Sequence, residues 1–426
     1  MRILHTSDWH LGKRLDLFSR IEEQRQVVDE IILIADEWDV DAVLLTGDLF
    51  DTFNPSTEAQ ELLYSALKRL SKNGGRPVIA IAGNHDSADA IQAPDPLARQ
   101  HGIILLGYFT TSVPQTITDA GVSISFPAPG VVRIEWESQP ALNVLTSPYA
   151  NERRLQQEIE ALAGEAEFIS KLSKLWQASA ESAFRSDEVN LFAGHLFAIN
   201  PRSPHSPSEQ LQLELQEVES LEVILEEPED EKPILYKGGL PPIPVSAFPD
   251  AVQYAALGHL HRSQFVSEAP LPAAYCGSPL AYSRSESDQA KYVHIVEVEP
   301  GQKAMVTRVA LKSGLPILRR ACSSVDEALT LLAEHQNAYV ELTLKLQDYL
   351  SSEDRRRIFS AHEKILSIIP EIATAEESAE REPADISKSI EELFSEYYAS
   401  AYQGAHPSKG LQDLFKEVLS SVEVSE

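Results

Sequence analysis

Seven side chains of metal-ligating type follow five short apolar runs. Ile3-Leu4 leads to Asp8-Trp9-His10, and Val43-Leu44-Leu45 leads to Gly47-Asp48. Val78 to Ala82 leads to Gly83-Asn84-His85-Asp86, Leu191 to Ala193 to Gly194-His195, and Tyr254 to Leu257 to Gly258-His259-Leu260-His261. In an Asp-x-His or His-x-His spacing just past a strand, both side chains can face one ion or two neighbouring ions. The glycines let the backbone approach where a side chain would obstruct. Carboxylate, carboxamide and imidazole donors without thiolate favour manganese, iron or zinc over calcium or copper. Asp8, His10, Asp48, Asn84, His195, His259 and His261 are too many for one ion and suit two. A carboxylate can bridge metals about 3.5–4 Å apart, and such a pair activates water and stabilises a phosphoryl transition state. His85 then stands as the catalytic group that steadies the transition state or protonates the leaving oxygen, with Asp86 as its orienting partner. These residues predict a dinuclear metallophosphoesterase.

The elements that must position them are legible from periodicity. Ile3-Leu4, Ala42 to Leu45 and Val78 to Ala82 read as strands. Val28, Ile31, Ile32 and Ala35 follow helical spacing between them, and a second helix is expected from Ser56, its cap, to Ser71. Alternating strand and helix implies an α/β sheet covered by helices, whose ligands gather beyond the carboxyl ends of the strands. Short strands follow over 103–147, at Val122 to Phe126 and Val131 to Trp136, then one or two helices over Asn151 to Phe184. From Leu315 the pattern becomes strand, helix (Val325 to His335), strand (Tyr339 to Leu346) and helix (Arg355 to Ile368), a small α+β unit. Two apolar-faced helices are expected to close the chain, one with Ile386, Ile390, Leu393, Phe394 and Tyr397, the other with Leu411, Leu414, Phe415, Val418 and Leu419.

A length of 426 residues points to two or three domains, and 43% hydrophobic with 24% charged residues excludes a disordered or fibrous chain. Cys276 and Cys322 are the only cysteines, which excludes a disulfide framework and a cysteine-based zinc site. No basic-then-apolar leader and no membrane-length apolar run is present, so a cytoplasmic protein is expected. The net charge of −29 argues against nucleic-acid binding by composition alone. However, ten acidic residues and no Lys or Arg lie in 209–231, part of an insertion over about 200–233 that reads as a solvated loop. Lys13, Arg14, Arg20 and Arg262 lie near the ligands in sequence and are candidate phosphate contacts.

In order and type, the five motifs resemble those of the calcineurin-like metallophosphoesterase superfamily. Thr6-Ser7-Asp8-Trp9-His10-Leu11-Gly12, Gly47-Asp48-Leu49-Phe50-Asp51, Gly258-His259-Leu260-His261-Arg262 and Gly277-Ser278-Pro279 are similar to its SbcD branch, the nuclease subunits of bacterial SbcCD complexes. That resemblance implies an α+β sandwich with a two-sheet core flanked by helices. It implies a nuclease domain over 1–312, a DNA capping domain over 313–372 and C-terminal helices over 384–426 that bind the partner. Asp8, His10, Asp48 and His261 would hold one Mn2+, and Asp48 (bridging), Asn84, His195 and His259 the other, with His85 catalytic. The implied activity is ATP-dependent 3′–5′ exonuclease action on double-stranded DNA, with single-strand endonuclease and hairpin opening. No ATP-binding loop occurs in this chain, so the resemblance implies an SbcC-type ABC ATPase partner with a coiled coil, and a homodimer of this subunit within a heterotetramer. A small-molecule phosphodiesterase or phosphatase of the same superfamily is the alternative.

Overall fold

Strands buried on both faces need apolar residues at every position, and the central runs have them. The computed structural model describes residues 1–149, 165–200, 242–346 and 350–372, with isolated residues between 393 and 415. Apart from Ile372 at the end of one strand, everything below belongs to one unit, Met1–Leu346 with Leu350–Glu371. The first sheet has six strands in the order Met305–Ala310, Tyr292–Glu297, Arg2–Thr6, Ala42–Thr46, Val78–Ile81 and Ile103–Leu106, the last four mutually parallel. The second has eight, in the order Gln264–Ser267, Ala273–Tyr275, Tyr254–Gly258, Val189–His195, Leu142–Ser147, Val131–Glu135, Ser123–Ala128 and Thr116–Ile117.

Alternation along each strand sorts the core into three layers. Ile3, Leu44, Ile79 and Ile81 meet Val144, Leu191, Ala193 and Ala256 between the sheets. Leu4, Val43, Leu45, Val78 and Ala80 face outward against the helices α1 (Ile21–Glu37) and α2 (Thr57–Leu70). Leu145, Phe192, Ala255 and Leu257 face the other way, against α3 (Glu165–Ala183). Ser56 caps α2 as expected, its side chain accepting from the Ala59 N–H.

The residues after Leu315 form a three-stranded sheet in the order Ile317–Cys322, Tyr339–Leu346 and Ile365–Ile372. It is covered by α4 (Val325–Glu334) and α5 (Ser352–Ala361) around Leu332, Val340, Leu342 and Ile358. Here one expectation fails: the helix read from Arg355 to Ile368 ends at Ala361, and Ile365 onward is a strand. Ile365, Leu366, Ile368 and Ile369 satisfy helical spacing, but an open sheet edge takes up the β-branched run. The joint to the larger sheets sets an apolar cluster of Leu15, Ala281, Ile317 and Tyr339 beside polar contacts. Buried Arg20 donates from Nε and Nη2 to Glu23 at 2.8 and 2.9 Å and stacks over the Tyr339 ring at 4.8 Å. Tyr339 Oη donates to Glu23 at 2.6 Å, and the backbone N–H groups of Lys312 and Ser313 donate to Glu30. Arg20 is therefore consumed by the joint and is corrected as a phosphate contact. The insertion over 200–233 beyond its first residue, the start of the expected 151–184 helix and most of 384–426 lie outside the described residues.

Trp176 on α3 is 0% exposed and packs edge-on to Phe192, with ring centroids 5.0 Å apart, and beside Phe248 at 5.6 Å. Trp176→Ala is expected to cost about 3–5 kcal/mol in urea denaturation. A loss under about 1 kcal/mol would mean that this helix is not packed on the second sheet.

Candidate metal centre

The strands Arg2–Thr6, Ala42–Thr46 and Val78–Ile81 of the first sheet, and Val189–His195 and Tyr254–Gly258 of the second, bring their carboxyl ends to one place. Beyond them the first two loops zip together, with the N–H groups of Asp8, His10 and Leu11 donating to the carbonyls of Gly47, Asp48 and Leu49 at 2.9–3.0 Å. The sheets meet across Thr46, whose carbonyl accepts from His195 Nδ1 at 2.9 Å. A Cβ on Gly258 would lie 1.9 Å from that same carbonyl, so glycine is required for the two strand ends to close. Asp8, His10, Asp48 and His259 all have positive φ, at 53°, 42°, 48° and 114°. Backbone strain of this kind costs about 1–3 kcal/mol per residue and persists where surrounding contacts enforce it.

All seven predicted donors converge. His10 Nε2 and His261 Nε2 face each other at 2.9 Å. Asp48 Oδ2 lies 3.5 Å from His10 Nε2 and 3.4 Å from His195 Nε2, between the two halves of the cluster. On the second half, Asn84 Oδ1 is 2.8 Å from His195 Nε2 and 3.1 Å from His259 Nδ1. Asp8, His10 and His261 offer ligand atoms within 4.8 Å of one another, as do Asp8, Asp48 and His195. Nitrogen and oxygen lone pairs pointed at one another from buried and half-buried positions are what divalent cations would satisfy, so the donor set fits a pair of ions.

His85 and Asp86 divide differently from the expectation. His85 Nδ1 lies 2.9 Å from the Asp51 carbonyl oxygen, which is the contact that orients its ring, and its ring centroid is 4.8 Å from that of His10. Asp86 accepts from the backbone N–H groups of Gly83, Leu49 and Phe50 at 2.8–3.0 Å, tying the third loop to the second. Sequence reasoning did not single out Ser7, Thr46, Asp51 or Tyr149 for roles in the site. Ser7 Oγ donates to Asp8, and the Tyr149 ring sits 6.0 Å from His195 and 6.5 Å from His259. Asp51 closes the motif that begins at Gly47 and could have been found; Tyr149 carries no local signal. Lys13 is paired with Asp51 at 3.3 Å.

The chain matches the calcineurin-like phosphoesterase family over residues 1–262. It belongs to that family. The relatives of this calcineurin-like phosphoesterase include SbcD, the nuclease component of SbcCD, from Bacillus subtilis (strain 168), 35% identical over 431 residues that cover 99% of each chain. The protein of the same name from Rhodobacter capsulatus is 31% identical over 75% of this chain and 71% of that one. The Escherichia coli (strain K12) protein of that name is 24% identical over 99% of this chain and 98% of its own. The phosphoesterase is thus a metal-dependent hydrolase of phosphoesters, with divalent cations as its cofactors. Among the described residues, no helix is long and apolar enough to cross a membrane.

Protonation of the metal-free cluster follows from burial and charge. Burial pushes the Asp8 carboxyl up to about 6, against the pull of His195 and His261. Burial alone would lower His195, but the carboxylates of Asp48 and Asp8 outweigh it and raise the imidazole to about 9. Burial and the charge on His195 press His259 down to about 3, leaving it a free base. Cations compete with the protons on Asp8 and His195, so their affinity should fall as pH drops from about 9 to about 6. Calorimetry of Mn2+ binding near pH 7 in buffers of different ionisation enthalpy should show net proton release. A pH-independent affinity over that window would contradict this picture.

Proposed function

We propose that this phosphoesterase is a metal-dependent DNA nuclease, the SbcD-type component of an SbcCD complex. The observation that carries the proposal is the set of seven nitrogen and oxygen donors that converge with Asp48 between their two halves, in a chain similar over its whole length to proteins named for that nuclease. Asp8, His10, Asp48 and His261 hold one cation, and Asp48, Asn84, His195 and His259 the other. Mn2+ is the ion proposed. Bound there, the two cations supply Lewis acidity toward a phosphodiester and its attacking water.

The chain's own residues do the rest. The Asp51 carbonyl accepts from His85 Nδ1 at 2.9 Å. His85 Nε2 is left as the nitrogen that passes a proton to the leaving oxygen. Asp86 keeps the His85 loop against the Asp48 loop through its three backbone donors. Cleavage is 3′–5′ exonucleolytic on duplex ends and endonucleolytic on single strands and hairpins. ATP hydrolysis is contributed by an SbcC-type partner that the segment 384–426 docks against. In this reading 1–312 forms the nuclease domain, 313–372 caps the DNA, and two copies of the chain act within a cytoplasmic, nucleoid-associated heterotetramer.

End-labelled duplex and hairpin DNA with Mn2+, the partner ATPase and ATP tests this. His85→Ala should lower the cleavage rate by about 10²- to 10⁴-fold while leaving Mn2+ stoichiometry intact. Asp48→Ala should lose both activity and metal. Intact DNA alongside hydrolysis of a small phosphodiester would instead assign the site to the small-molecule alternative.

A further inference from the structure

The Gly277-Ser278-Pro279 segment packs against the cluster at two points, the Gly277 carbonyl near Ser7 Oγ and the main chain of His261. Gly277 has φ 82°, and a Cβ on it would lie 2.5 Å from the His261 carbonyl oxygen. Glycine lets the segment pass this close, and the Ser278 N–H then donates to that carbonyl at 3.1 Å. Lys291 Nζ donates to the same carbonyl at 3.1 Å and to Ser278 Oγ at 3.0 Å. It is also ion-paired with Glu286, which is 1% exposed. Glu286 Oε1 accepts from the N–H groups of Tyr282 and Ser283 at 2.8 and 2.9 Å, and lies 3.6 Å from His261 Nδ1. The main chain of His261 is thereby gripped by Lys291 and Ser278, and one edge of its ring faces a carboxylate.

At 3.6 Å that carboxylate acts on the ring through its charge rather than through a hydrogen bond. An ionised oxygen beside Nδ1 favours the tautomer with its proton on Nδ1, leaving the Nε2 lone pair aimed at the cluster. A buried ion pair is a poor device for stability, because desolvating both charges offsets most of their attraction. Its placement against both the carbonyl and the ring of His261 gives it another purpose. We propose that Glu286 is a positioning residue of the metal centre, which sets the tautomer of His261 and, with Lys291 and Ser278, its orientation. The assignment rests on the reading of His261 as a ligand of the cation it shares with Asp8 and His10.

Calorimetric titration of the full chain with Mn2+ separates the two ideas, with metal-free melting curves reporting the fold. His261→Ala should abolish one of two binding events. Glu286→Gln should weaken the same event by about 10- to 100-fold and leave the other within about two-fold of wild type. Glu286→Gln combined with Lys291→Met strands no ammonium, so its melting temperature should recover while its Mn2+ affinity stays low. If His261→Ala binds both ions as wild type does, the ligand reading falls. If His261→Ala loses an ion but Glu286→Gln does not, or the double variant regains wild-type affinity, the assignment of Glu286 is overturned.

Discussion

Ionisable groups leave water reluctantly, yet Asp8, His10, Asp48, His195 and His261 are each at most 4% exposed and crowd within a few ångströms of one another. Much of the surrounding structure answers that demand. The carboxyl ends of two sheets supply backbone partners from opposite sides, as with the Thr46 carbonyl on His195 and the His259 N–H on Asp8 at 3.0 Å. The left-handed backbone at Asp8, His10 and Asp48 turns the side chains inward, and the three layers of apolar core hold those turns in place. Packing and hydrogen bonding together keep lone pairs close to one another, an arrangement that divalent cations complete.

Much of this was legible in the sequence because it is local. The runs at Val43 to Leu45 and Leu191 to Ala193 are apolar at every position, and each is followed within a few residues by its ligand. What escaped notice is supported from far along the chain. Asp51 orienting His85, Arg20 buried beneath Tyr339, and Asp86 bonded to the N–H groups of Leu49 and Phe50 depend on neighbours that no periodicity reveals. The strand over Ile365–Ile372 was misread for a related reason, since only the open edge beside Tyr339–Leu346 distinguishes it from a helix of the same spacing. Net charge misleads in the same way: a third of the excess lies in 209–231, while Lys13 and Arg20 near the cluster are already engaged by Asp51 and Glu23.

The helix α1 serves two neighbours at once. Gln24 receives the Gly12 N–H and donates to the His10 carbonyl, both at 2.9 Å, one residue along from Glu23, which receives Tyr339, the Leu315 N–H and Arg20. A single turn of helix therefore carries the loop of His10 on one side and the footing of the three-stranded sheet on the other. A shift of Glu23 under the smaller sheet is felt one residue away, at the side chain that holds the His10 loop, so this turn of α1 links the sheet mechanically to the metal centre.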